Sequence, residues 1–209
     1  PRDILVEEEM NTAETEAWLK HGRTLQTKFE SLKQVNKGRA LFVQYLCKGF
    51  KGNWVGEPSS VLIKKECFGH LGLFNIKLHQ VCDIEMWLRI MYFYDIGFSP
   101  EKLSAFRFHS NSTSKSNIES RRNWLDQVWL LDSLTGYDEI RLAHPEIDRI
   151  RMVELLRALK TILLHPLMIS SRLREDPHAG QALSLLPKWM WAAITSYLPY
   201  RAEKNGSSN

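Results

Sequence analysis

The sequence predicts an α/β fold that passes into a mostly α-helical C-terminal tail. Residues 60–63 form a short branched apolar run between turn signals, and residues 103–109 alternate in polarity. Residues 83–94, and again those beyond Ser114, repeat their apolar positions every three or four residues. A period of two belongs to a strand and a period near 3.6 to a helix.

Taken in order, the opening stretch Asp3 to Leu19 carries the Glu7-Glu8-Glu9 run and then Asn11 or Thr12 as a cap, with Glu14 and Glu16 behind it. Early acids favour the positive end of a helix dipole, so a helix is expected from Thr12 to Leu19. His21 to Phe50 mixes Lys, Gln and glycines with apolar spacing at Leu41, Val43, Tyr45 and Leu46, which reads as loop and then short helix. Gly, Asn and Pro between Gly49 and Pro58 break the chain, and Ser60-Val61-Leu62-Ile63 then reads as a short buried strand. Lys64 to Leu71 reads as one helix ended by Gly72, a residue that tolerates the left-handed conformation. Phe74 is expected to plug into the core.

From Asp83 to Tyr94, Ile84, Trp87, Leu88, Met91 and Tyr94 define a helix with one buried face. Glu85 and Arg89, four apart, are expected to pair on its surface. After Gly97, Phe106 and Phe108 point one way, and Ala105, Arg107 and His109 the other. Ser110 to Ser114 reads as a solvated loop. Trp124, Val128 and Leu131 mark one tail helix, and Ile147, Ile150, Val153, Leu156, Leu159 and Ile162 mark the apolar face of another. Lys204 to Asn209 reads as a disordered tail.

At 209 residues, 44% hydrophobic and 25% charged, the chain can bury a core with a helical appendage. Its net charge of +4 is spread along the sequence with no aromatic-interleaved basic stripe, which disfavours nucleic acid as a partner. Cys47, Cys67 and Cys82 have neither zinc-ligand nor disulfide-framework spacing, so reduced thiols and a cytoplasmic setting are expected. Pro1 suggests a start further upstream, and no signal peptide is evident. The stretch 185–198, with Trp189, Trp191 and Tyr197, is too short to span a bilayer but could lie on one, or else pack on the rest of the protein.

Four segments occur in a characteristic order. They are Gly56-Glu57-Pro58-Ser59-Ser60-Val61-Leu62, Phe68-Gly69-His70-Leu71-Gly72-Leu73-Phe74, Cys82-Asp83-Ile84-Glu85-Met86-Trp87-Leu88-Arg89, and Phe106-Arg107-Phe108-His109 with Ser112 and Ser114. Over residues 54–114 the chain resembles the C-terminal part of the family 2, inverting, GT-A type glycosyltransferases. The resemblance implies a partial GT-A-like mixed sheet with flanking helices, and a nucleotide-diphosphate sugar donor held with Mn or Mg in the complete enzyme. It also implies a hydroxyl acceptor, on a glycan, a lipid-linked intermediate or another molecule, and a single carboxylate base. Asp83 sits at the base position, although Cys82 replaces the acid that often precedes it. His109 would lie near the metal and diphosphate. Glu57, Ser59, Glu85 and Arg107 are the candidate substrate-binding residues.

The organisation expected is a helical or loop lead-in at 1–53, the glycosyltransferase part at 54–114, a helical extension at 115–203 and the tail at 204–209. Residues 1–53 contain no alternating strand-helix pattern and no Asp-x-Asp-like motif of the donor-binding half that the resemblance implies, so a truncated or split protein is expected. Each site residue also has a plainer reading. Asp83 can simply start a helix, Trp87 can be core, and Glu57 and Ser59 can belong to a turn. The alternative function is a non-catalytic helical interaction module or an inactive glycosyltransferase remnant.

Overall fold

A computed structural model describes residues 3–6, 13, 16, 28–109, 112–175 and 177–195. The chain divides into two compact units, one of Pro1–Asn75 with Gln80–Ser120 and the other of Ile76–His79 with Arg121–Asn209. Helix dominates, and the strands form two separate two-stranded ladders.

In the first unit, β1 (Asp3–Val6) and β4 (Ala105–Phe108) pair in parallel, Asp3 opposite Ala105 and Val6 opposite Phe108. β2 (Val35–Asn36) and β3 (Ile96–Gly97) pair antiparallel. Its fully described helices are α1 (Gly38–Leu46), α2 (Lys65–Leu71), α3 (Cys82–Phe93) and α4 (Thr113–Glu119). β1 was not foreseen, because its partner lies about a hundred residues away and four residues carry little local signal. The helix expected from Thr12 to Leu19 lies outside the described residues except for Ala13 and Glu16, both helical.

α1 packs along α3 and buries Leu41, Phe42, Tyr45 and Leu46. At its first residue the two backbones nearly touch. A Cβ on Gly38 would stand 2.0 Å from the Tyr94 carbonyl oxygen and 2.2 Å from that of Met91, so glycine is required by space. α2 ends as expected, with Gly72 at φ 80° and its N–H bonded to the Phe68 carbonyl. Phe74 is half-buried and meets Trp87 edge to face.

Two expectations are corrected here. Residues 58–60 form a 3-10 turn rather than the start of a strand, and residues 61–63 join neither ladder. Pro58 sets φ for a tight turn, Leu62 is fully exposed, and the branched run pairs with no strand among the described residues. The Glu85–Arg89 pair is also not on a surface. Every residue from Ile84 to Arg89 is buried, because α3 is enclosed on more than one side. The apolar period marks the face of deepest contact but says nothing about what covers the opposite face.

The second unit holds α5 (Asp126–Thr135), α6 (Asp138–Ala143), α7 (Glu146–Leu164), α8 (Pro166–Glu175) and α9 (Pro177–Thr195). Pro145, Pro166 and Pro177 stand at helix starts, where a missing N–H costs nothing. The core gathers Leu130, Leu131, Leu134, Ile140, Ile147 and Trp189. Ile76–His79 belongs to this unit through two contacts: the His79 N–H donates to Asp126 Oδ1 at 3.1 Å, and the Lys77 ammonium lies 4.2 Å from the Trp129 ring centre.

The apolar face expected for α7 needs correction. Ile147, Asp148, Arg151, Leu155 and Ala158 are buried, whereas Val153 and Leu156 are exposed. Arg151 lies on this buried face. It donates to Asp148, to Thr135 Oγ1 at 2.7 Å and to Asp132 Oδ1 at 3.3 Å, with Trp189 5.8 Å from its guanidinium. Trp189 Nε1 donates to Asp132 Oδ1 at 2.7 Å, which seats α9 in the same network. The tail expected at 204–209 lies outside the described residues.

Candidate functional site

The site begins in the turn-rich stretch before Pro58. Asn53 Oδ1 accepts the N–H groups of Val55 at 3.1 Å and Gly56 at 2.8 Å, closing a turn on its own backbone. Its amide nitrogen donates to the Gly56 carbonyl at 3.0 Å and to Asp83 Oδ2 at 2.8 Å. Trp87 Nε1 donates to the same Gly56 carbonyl at 3.0 Å. The turn is thus fastened to α3 at two residues one helical turn apart, Asp83 and Trp87. Tyr45 supports it from beneath, its hydroxyl donating to the Gly52 carbonyl and accepting the Trp54 N–H at 3.2 Å.

Asp83 is the second residue of α3 and is not its N-cap, a position held by Val81 without a side-chain bond. Asp83 Oδ1 accepts the Ile84 N–H at 2.7 Å, so the helix-start reading holds in part. Burial nevertheless pushes the carboxyl above its ordinary pKa, outweighing the backbone N–H groups that pull it down. Burial also raises the Tyr45 hydroxyl, with a smaller contribution from the charge of Asp83. The result is a half-buried carboxylate with both oxygens oriented and an increased affinity for a proton.

Glu57 is half-buried and precedes the 3-10 turn, and Ser59 is exposed within it. Ser60 Oγ lies 2.9 Å from Ser104 Oγ, which ties that turn to the residue just before β4. Arg107 is exposed on β4 opposite Leu5, and His109 follows the strand half-buried. A chain of contacts therefore runs from Asp83 through Asn53 and Gly56 to the Glu57–Ser60 turn and on to the start of β4. Among the described residues no hydrogen bond or ion pair joins Asp83 to Arg107 or His109.

Glu85, the other carboxylate of the motif, faces inward. Arg89 Nη2 donates to Glu85 Oε2 at 2.7 Å and to the Leu73 carbonyl at 2.9 Å, while Nη1 donates to the Leu71 carbonyl. Arg89 Nε completes the ion pair, 2.7 Å from Glu85 Oε1. Glu85 is fully buried, so as placed it braces the Gly72 turn and offers no face to a substrate. No group of three or more His, Cys, Asp or Glu that could hold a metal ion occurs among the described residues.

Asn53 was missed from the sequence, although Asn-Trp-Val-Gly is the pattern of an Asn that bonds its own backbone before a glycine. Nothing local indicates that its amide also reaches a carboxylate thirty residues ahead.

No family model and no solved structure matches the chain. It is similar to the uncharacterized protein MT1568 of Mycobacterium tuberculosis (strain CDC 1551 / Oshkosh), 29% identical over 130 residues that make up 60% of this chain and 41% of the relative. The chain thus spans about two fifths of that relative's length.

Proposed function

We propose that this chain is the C-terminal, acceptor-side part of a nucleotide-sugar glycosyltransferase of GT-A-like fold, with Asp83 as its general base. The observation that carries the reading is the state of Asp83: half-buried, raised in proton affinity, and held by Asn53 at the start of an enclosed helix. A base is most effective when its pKa is moved toward the working pH and its geometry is preset. The parallel pairing of β1 with β4 and the tie from the Glu57–Ser60 turn to Ser104 are compatible with a GT-A-like half-domain.

In the proposed reaction an acceptor hydroxyl approaches the sugar from the side opposite the leaving diphosphate. Asp83 takes the hydroxyl proton as the oxygen attacks the anomeric carbon, and the bond to the diphosphate breaks with inversion. Asn53 holds the carboxylate in place, and Arg107 supplies a cation to the diphosphate. Glu57 and Ser59 line the acceptor side. Mn or Mg, implied by the resemblance, would neutralise the leaving group, but the described residues do not form a site for it and no step is assigned to it.

The test is turnover of nucleotide-sugar donors by the complete natural protein. Asp83→Asn lowers kcat about 10²- to 10⁴-fold with little change in donor affinity. Unchanged turnover removes Asp83 from this role.

A further inference from the structure

We propose that α9 docks on an anionic lipid surface through a stripe made of Leu183, Pro187, Met190, Trp191 and Ile194. These positions, spaced three and four apart with Trp191 beside them, share one face of the helix. The opposite side, with Ala182, Trp189 and Ala193, is buried in the second unit. The two tryptophans two residues apart divide sharply: Trp189 is 1% exposed and Trp191 68%. Leu183, Met190 and Ile194 are exposed along with Trp191, and no charged side chain interrupts the stripe.

Charge decides the occupant. α9 contains no Asp or Glu, and the exposed Lys188 stands next to the stripe. A second copy of the chain would bring the same net charge of +4 and no acid on its own α9 to meet Lys188. Anionic headgroups complement Lys188, while Trp, Met and Ile side chains are suited to the boundary between headgroups and acyl chains. No described helix is long and apolar enough to cross a membrane, so the contact proposed is peripheral.

The experiment is co-sedimentation of the full chain with vesicles of phosphatidylcholine containing phosphatidylglycerol, against vesicles of phosphatidylcholine alone. The expected result is binding to the anionic vesicles that weakens with salt, accompanied by a blue shift of tryptophan emission. Trp191→Ser combined with Ile194→Ser weakens binding roughly tenfold or more while far-ultraviolet circular dichroism stays unchanged. Should that variant not fold, Lys188→Glu, at an exposed position, serves instead and weakens anionic-vesicle binding about tenfold. The proposal is overturned by absence of binding to anionic vesicles, or by folded variants that bind as the parent does. A dimer in sedimentation velocity that the double variant abolishes overturns it as well, since the stripe then belongs to a second copy.

Discussion

Arg89 in the first unit and Arg151 in the second are both buried, and each pairs with an acid on its own helix, Glu85 four residues back and Asp148 three residues back. Each also reaches beyond its helix. Arg89 binds the carbonyls of Leu71 and Leu73, fixing the turn that follows α2, whereas Arg151 reaches Asp132 and Thr135 on α5 and lies beside Trp189 on α9. The difference lies in how far each network is sealed. Glu85 is fully buried, while Asp132 keeps about a quarter of its side chain exposed at 26%. One arginine locks a loop against a helix that carries the candidate base; the other ties three helices together near solvent. A buried cation can therefore organise either a site or a bundle, depending on what its remaining donors meet.

Replacing each arginine tests that contrast directly. Arg89→Met strands the Glu85 carboxylate in a closed interior and two backbone carbonyls with it, so a loss of about 3–5 kcal/mol is expected. Urea unfolding monitored by tryptophan fluorescence measures it, and adding Glu85→Leu restores much of the loss because no buried charge remains. Arg151→Met also strands the buried Asp148, but it should cost less, about 2–3 kcal/mol, since Asp148 keeps 9% of its side chain exposed against none for Glu85, water reaches Asp132, and Trp189 still donates to Asp132. Equal losses from the two variants would show that exposure of the partner does not set the cost.

A smaller effect separates the hydrogen bond of Trp189 from its packing. Trp189→Phe keeps an aromatic ring against Trp129, now 5.4 Å away centre to centre, and removes only the donor to Asp132. About 1 kcal/mol should be lost beyond the change in buried area, read from the shift in the urea midpoint. Combining it with Arg151→Met gives a cost above the sum of the two, because Asp132 then loses both donors.

The smallest effect concerns Asp83, the carboxylate that neither arginine touches. Burial raises its pKa in the folded chain, so between the ordinary carboxylate value and the folded value the native state binds more protons than the unfolded state. Its contribution to stability is therefore full at low pH and declines as pH rises through that window. Urea midpoints of the parent and Asp83→Asn, compared in steps from about pH 4 to 7, should show the parent losing ground to the variant as pH rises. A constant difference would mean that Asp83 titrates as an ordinary surface acid.

Much of this was legible in the sequence where the signal is local. The α2 helix with its terminal Gly72, the span of α3, the alternation at β4 and the helical tail all follow from spacing and turn chemistry within a dozen residues. Misreadings came where a distant partner decides. Val61 to Ile63 looks like a strand but joins no described ladder, Val153 and Leu156 look like a core face but α7 buries the side that carries Asp148 and Arg151, and Glu85 looks solvated but α3 is enclosed. For the site, Asp83 was found from its motif, while Asn53 and Tyr45 were not, since their relation to Asp83 exists only across the fold.

Sequence alone determined the helix that ends at Gly72 and the span of α3, that Asp83 stands in the first turn of that helix, and that the region around Trp191 is apolar without being long enough to span a bilayer; Ser110 to Ser114, read as a loop, instead leads into α4 at Thr113 with Ser112 as its cap. Tertiary structure alone decided that Asp83 is shielded enough to hold its proton more tightly, that Glu85 is committed to Arg89, and that Trp189 turns inward while Trp191 faces out. Local propensity acts over a few neighbouring residues, whereas burial and charge neutralisation depend on groups that only folding brings within a few ångströms.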